Sequence, residues 1–180
     1  MTTPTMSHFK KLVLGIGNPL RADDGIGIHI AETLLKTSLE NTTVLKKQHA
    51  GIELIDDWKD THLLIVVDAA YSGKQVGTTY FGSYPSDTMA WDLFGYSSHS
   101  VSLGEALEIA KALGKLPPKV YVCMIEGGNF SLGESLSPEV EEAIPKAVEL
   151  IKAKLTTEEL LFLAQLKKQN SDHFSNHEAS

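Results

Sequence analysis

Short apolar runs closed by turn residues alternate along this chain with segments whose apolar residues recur every three or four positions. Lys11-Leu12-Val13-Leu14-Gly15-Ile16-Gly17 is the first such run and predicts a buried strand over residues 11–17. Ile26, Ile30 and Leu34 then recur at spacing four, predicting a helix over about 25–37. Residues 42–48 read as a partly polar strand, nearer a sheet edge, and 51–59 as a short helix. His62-Leu63-Leu64-Ile65-Val66-Val67-Asp68 is the strongest strand, apolar on both faces as a central parallel strand must be.

A further strand is expected over 77–84 and a helix over 101–113, with Leu103, Leu107, Ala110 and Leu113 on one face. Residues 119–125 predict the last buried strand. A long helix over 138–155 follows, with Val140, Ile144, Val148 and Ile151 on its inner side. This alternation of strand and helix predicts a three-layer α/β domain with a mostly parallel sheet. Its body is expected over 10–155, behind a frayed segment at 1–9. Residues 156–169 predict an additional amphipathic helix, capped by Thr156 or Thr157, with Glu158 and Glu159 in its first turn and Lys167 and Lys168 in its last. The polar stretch 170–180 reads as a flexible tail. His173 and His177 are spaced i,i+4 within it and read as solvated residues rather than a metal pair.

Composition narrows the function. A chain of 180 residues with 42% apolar side chains is one domain that buries about 70% of its unfolded surface. The net charge of −7 disfavours a non-specific nucleic-acid binder. No stretch approaches the roughly 20 apolar residues of a membrane span, and residues 12–16 are too few for a secretory core, so a cytoplasmic protein is expected. Cys123 is the single cysteine and lies in an apolar run, which makes it a buried structural thiol and excludes a disulfide framework.

In open α/β sheets ligands bind beyond the carboxyl ends of the strands. Three segments are expected there: the loop from Gly15 to Gly27, Asp68 at the end of the central strand, and Ser97-Ser98-His99-Ser100 ahead of a helix. Taken singly, Asp23 or Asp24 fits a helix N-cap, Asp68 a turn cap and His99 a helix-start residue. Together, Asp24, Asp68 and His99 make a donor set for a divalent first-row metal with open positions left for substrate or water. The dinucleotide reading of Gly15-x-Gly17 fails, because the third glycine is missing and Asp23-Asp24 would repel phosphates. A serine hydrolase fails as well, for there is no Gly-x-Ser-x-Gly elbow.

The run Gly15-Ile16-Gly17-Asn18-Pro19-Leu20-Arg21-Ala22-Asp23-Asp24-Gly25-Ile26-Gly27 resembles the amino-terminal signature of the [NiFe] hydrogenase maturation endopeptidases. The likeness continues through Leu64-Ile65-Val66-Val67-Asp68-Ala69, Ser98-His99-Ser100-Val101-Ser102-Leu103 and Leu136-Ser137-Pro138-Glu139-Val140, spanning about 11–155 in order. The resemblance implies a twisted sheet of about five strands flanked by helices on both faces. It also implies a peptidase that removes a carboxy-terminal peptide from the hydrogenase large-subunit precursor after nickel insertion. Asp24, Asp68 and His99 would then be both the metal contacts and the catalytic residues, with Gly17, Asn18 and Gly25 to Gly27 shaping the loop. The nickel would arrive with the substrate, so the isolated protein, expected to be a monomer, carries no tightly bound metal. Where that family has a Gly-Thr-x-Gly-like turn after the second strand, this chain has Gln48-His49-Ala50-Gly51, and His49 is a lesser candidate for a further metal contact. Two other readings stand beside this one: a nickel-sensing or chaperone module that binds without cutting, and a general metallopeptidase with its own zinc.

Overall fold

The computed structural model of the protein describes residues 9–87 and 102–175, the side chains of 169–175 excepted. Five strands, β1 (Lys11–Ile16), β2 (Thr42–Lys47), β3 (Leu63–Ala70), β4 (Thr79–Tyr84) and β5 (Lys119–Glu126), form one sheet in the order β2-β1-β3-β5-β4. β2, β1, β3 and β5 run parallel, and β4 pairs antiparallel with β5 at the edge. The strongest apolar run is therefore the middle strand, and the partly polar β2 is an edge, as the pattern predicts.

Side-chain alternation makes the sheet a partition between two cores. Leu12, Leu14 and Ile16 of β1 and Leu64 and Val66 of β3 join Leu54, Trp58, Leu103 and Leu107 on one face. That face is covered by the single turn α2 (Leu54–Asp57) and by α3 (Leu103–Ala112). Val13, Ile65, Val67, Cys123 and Ile125 point the other way, toward α1 (Ile26–Leu35) and α4 (Pro138–Ser175). Ile26, Ile30 and Leu34 of α1 are fully buried there, at the predicted spacing. Cys123 is buried in the same core, and loss of water pushes its thiol up to about 12, so it is inert as a nucleophile.

Ser102 opens α3 with a capping box: its hydroxyl accepts the Glu105 N–H while the Glu105 carboxylate accepts the Ser102 N–H. Val101, expected to start this helix, lies outside the described residues. Leu113 differs from expectation. It follows the last helical turn, ahead of Gly114 at φ +64°, and is exposed rather than part of the inner face.

The two helices expected over 138–155 and 156–169 are one continuous element, which runs on to Ser175 through part of the expected tail. Thr156 and Thr157 do not cap. Their hydroxyls donate to the carbonyls of Lys152 (3.1 Å) and Ala153 (2.8 Å), four residues back, which is a bond of helix interiors. The inner stripe also continues past the boundary, with Ile151, Leu155 and Glu158 buried and Phe162 packed beyond them. Phe162 stacks on Phe9 with ring centroids 4.5 Å apart. Tyr121 donates to Glu158 at 2.6 Å, Lys119 also pairs with Glu158, and Lys11 donates to Glu159 at 2.6 Å. The extension thus packs on the amino ends of β1 and β5. Among the described residues, no helix is long and apolar enough to cross a membrane.

Burial alone would raise the Glu158 carboxyl, but the bonds from Lys119 and Tyr121 and the nearby Lys154 hold it below the usual range. A depressed folded value contributes stability that is present above the unfolded carboxylate range, near pH ~4.5, and lost as pH falls through the folded value. Glu158→Gln should therefore cost about 1–3 kcal/mol at neutral pH, because the charged partners stay behind. The difference from wild type, read by chemical denaturation, should shrink as pH falls below about 4.5.

Candidate active site

Because β2, β1, β3 and β5 are parallel, their carboxyl ends share one edge of the sheet, where the segments following them gather. Glycines let the chain double back there. A Cβ on Gly27 would lie 2.1 Å from the Ile16 carbonyl oxygen and 2.5 Å from that of Val67, so α1 begins in direct contact with the ends of β1 and β3. Gly17, at φ +137°, would place a Cβ 1.8 Å from the Asp24 carbonyl oxygen. Only glycine fits at either position.

The two aspartates of this loop do different work, and neither is the helix N-cap that sequence alone permits. Gly25 precedes α1 with no side-chain cap. Asp23 is fully buried and accepts four hydrogen bonds from the segment after β5: Ser137 N–H (2.6 Å), Ser137 hydroxyl (2.8 Å), and the Gly128 and Asn129 N–H groups (2.8 Å each). Its own N–H donates to the Asn129 carbonyl at 2.9 Å. Burial alone would raise this carboxyl, but the bonds from Ser137, Asn129 and Gly128 hold it below the usual range, so it is an ionised structural clamp. The clamp also fixes the turn in which Ala22, a non-glycine residue, takes φ +45°.

Asp24 is half-buried, and its Oδ2 accepts the Asn18 N–H at 3.1 Å. Asn18 in turn accepts the Leu20 N–H on its side-chain oxygen at 3.0 Å, which holds the turn that presents Asp24. Asp68, also half-buried, accepts the N–H of Ala69 at 2.8 Å. Burial pushes the Asp68 carboxyl up to about 7; the Ala69 bond opposes this, and the negative charge of Asp24 adds to it. A carboxylate whose ionisation is opposed by a neighbouring carboxylate at an open sheet edge makes with it a donor pair that a divalent cation would relieve.

His99, the third predicted ligand, and the serines around it lie outside the described residues, as does His177, and the side chain of His173 is not described. Among the described residues no group of three metal-ligating side chains forms, so exposed His49 does not join Asp24 and Asp68. One buried carboxylate that supports this edge escaped sequence reasoning altogether. Glu126, fully buried at the end of β5, accepts the Ser72 N–H (2.6 Å), the Ser72 hydroxyl (2.8 Å) and the Lys74 N–H (3.2 Å), tying down the loop that leaves Asp68. The only signal for it was a charge at the end of an apolar strand, next to Gly127.

The chain and its fold match known proteins. The family model described as hydrogenase maturation protease (HycI) matches residues 28–154. The hydrogenase 2 maturation protease of Escherichia coli is 30% identical over 146 residues, covering 80% of this chain and 89% of that one. Among solved structures, the hydrogenase maturating endopeptidase HybD from E. coli superposes with a TM-score of 0.72 at 28% identity, over 83% of this chain and 93% of that one. The hydrogenase 2 maturation peptidase of a Thaumarchaeota archaeon gives 0.62 at 28%, over 81% and 97%. On this evidence the chain belongs to the hydrogenase maturation protease family, and it is a peptidase.

Proposed function

We propose that this peptidase removes a carboxy-terminal peptide from the nickel-loaded large-subunit precursor of a [NiFe] hydrogenase, in the cytoplasm, and reads the nickel that the precursor brings. Asp24, Asp68 and His99 contact that ion. The observation that carries the reading is the Asp24–Asp68 pair, held at the sheet edge by Gly17, Asn18 and Ala69 and, among the described residues, not paired with a lysine or arginine. A nickel already held by the substrate would fill the remaining positions of such a pair. Docking of that kind sets the scissile bond beside the site by proximity, and the ion polarises its carbonyl toward water. A precursor without nickel leaves the two carboxylates facing one another with nothing to hold, so loading is checked before the cut.

Incubation with nickel-loaded precursor should yield the shortened subunit on a denaturing gel, and the metal-free precursor should stay uncut. Retained binding without cleavage would instead establish a nickel-sensing module. Elemental analysis of the purified protein should find far less than one metal ion per chain; stoichiometric zinc would favour a self-sufficient metallopeptidase.

Asp24→Asn and His99→Ala should each lower processing by about a hundredfold or more, since changes one shell further out already cost about 10–100-fold in metal sites. Asp68→Asn should lose processing as well, yet gain stability. Its raised folded value means that ionisation opposes folding, so wild-type stability falls as pH rises from the unfolded carboxylate range toward 7. The thermal midpoint of Asp68→Asn should exceed that of wild type at about pH 8 and match it at about pH 4.

A further inference from the structure

A single exposed leucine means little on a protein surface. The two most exposed large apolar side chains among the described residues are Leu132 (76%) and Leu20 (65%), and they are neighbours: the Leu20 carbonyl accepts the Gly133 N–H at 2.8 Å. Two residues before Leu132, Phe130 meets the exposed Tyr71 edge-on, with centroids 5.4 Å apart. Leu20, Leu132, Phe130 and Tyr71 thus make an apolar strip over three loops that are joined by this backbone bond and this ring contact. Those loops are held rigidly, one by Glu126 on Ser72 and another by Asp23 on Gly128, Asn129 and Ser137. Rigid loops that keep leucines and a tyrosine in water behave as a contact surface rather than as leftover core.

We infer that this strip is the docking surface for the hydrogenase precursor, which lays an apolar segment along it while presenting the bond to be cut. The inference rests on the peptidase reading above. Continuity with the site identifies the occupant. Leu20 shares the loop of Asp24 and Tyr71 follows Asp68 by three residues, so the strip is carried by the same two loops that carry the carboxylates. The acidic character of the same edge, with Asp24, Asp68 and Glu134, argues against an anionic lipid surface as the occupant. The strip supplies affinity and the carboxylates supply chemistry, so the two separate in kinetics.

The test is steady-state processing of nickel-loaded precursor by wild type, the double variant Leu20→Ser/Leu132→Ser, and the control Leu113→Ser. Leu113 is comparably exposed but precedes β5, at the opposite end of the sheet. The double variant should raise KM by about tenfold or more with kcat and the thermal midpoint retained, while the control behaves as wild type. An unchanged KM, or an equal rise in the control, overturns the docking assignment. So does a wild-type dimer that the double variant dissolves with KM unaltered, which would give the strip to a second copy of this chain. If wild type cuts no precursor, the peptidase reading falls by itself. Pull-down of the precursor then judges the strip: weaker capture by the double variant upholds it, and equal capture sinks it.

Discussion

Contact between the amino end of α1 and the carboxyl ends of β1 and β3 sets the geometry of everything at that edge of the sheet. The helix can press onto the Ile16 and Val67 carbonyls only because Gly15 and Gly27 present no side chains. With the helix seated there, the segment from Gly17 to Gly25 has no room to run outward and must fold into a tight turn over the strand ends. That turn carries Asp24 out toward the end of β3. A methyl group at Gly27 would lift the helix and move Asp24 relative to Asp68, whose ionisation it now opposes.

Around this contact, three carboxyl groups show how environment assigns roles to the same chemistry. Asp23 and Glu126 are wholly buried, and each is supplied with donors from an adjoining loop, so they act as staples. Among the described residues Asp68 has a single backbone donor and a like-charged neighbour, and it is costly to ionise. Among the described residues the backbone N–H groups gather on the staples, and the two proposed metal contacts, Asp24 and Asp68, receive one each. A binding site needs that inequality: a fully satisfied carboxylate has little left to offer a ligand.

Much of this was legible in the sequence, because the features that decide a parallel α/β fold are local and periodic. The apolar run at 62–68 had to be central, the polar 42–48 had to be an edge, and Ile26, Ile30 and Leu34 had to face the sheet. The loop glycines and the pair Asp24 and Asp68 could be named because loop composition and strand ends are visible in one dimension. What escaped was long-range. Nothing local distinguishes Asp23 from Asp24; the arrival of Gly128, Asn129 and Ser137 from more than a hundred residues away does so. Likewise Thr156 and Thr157 resemble caps until the buried stripe is followed through Leu155 to Glu158 and Phe162.

The long last helix has a consequence at the sheet's other end. Lys11, the first residue of β1, is almost wholly enclosed, and its ammonium group meets Glu159. Removing everything after Leu155 would take away Glu159 from Lys11 and Glu158 from Lys119 and Tyr121 in one stroke, and would open to water the apolar surface that Phe162 now covers on Phe9. The opening strand and the closing helix are electrically interlocked, so the last helix belongs to the packed body and is not an appendage to it.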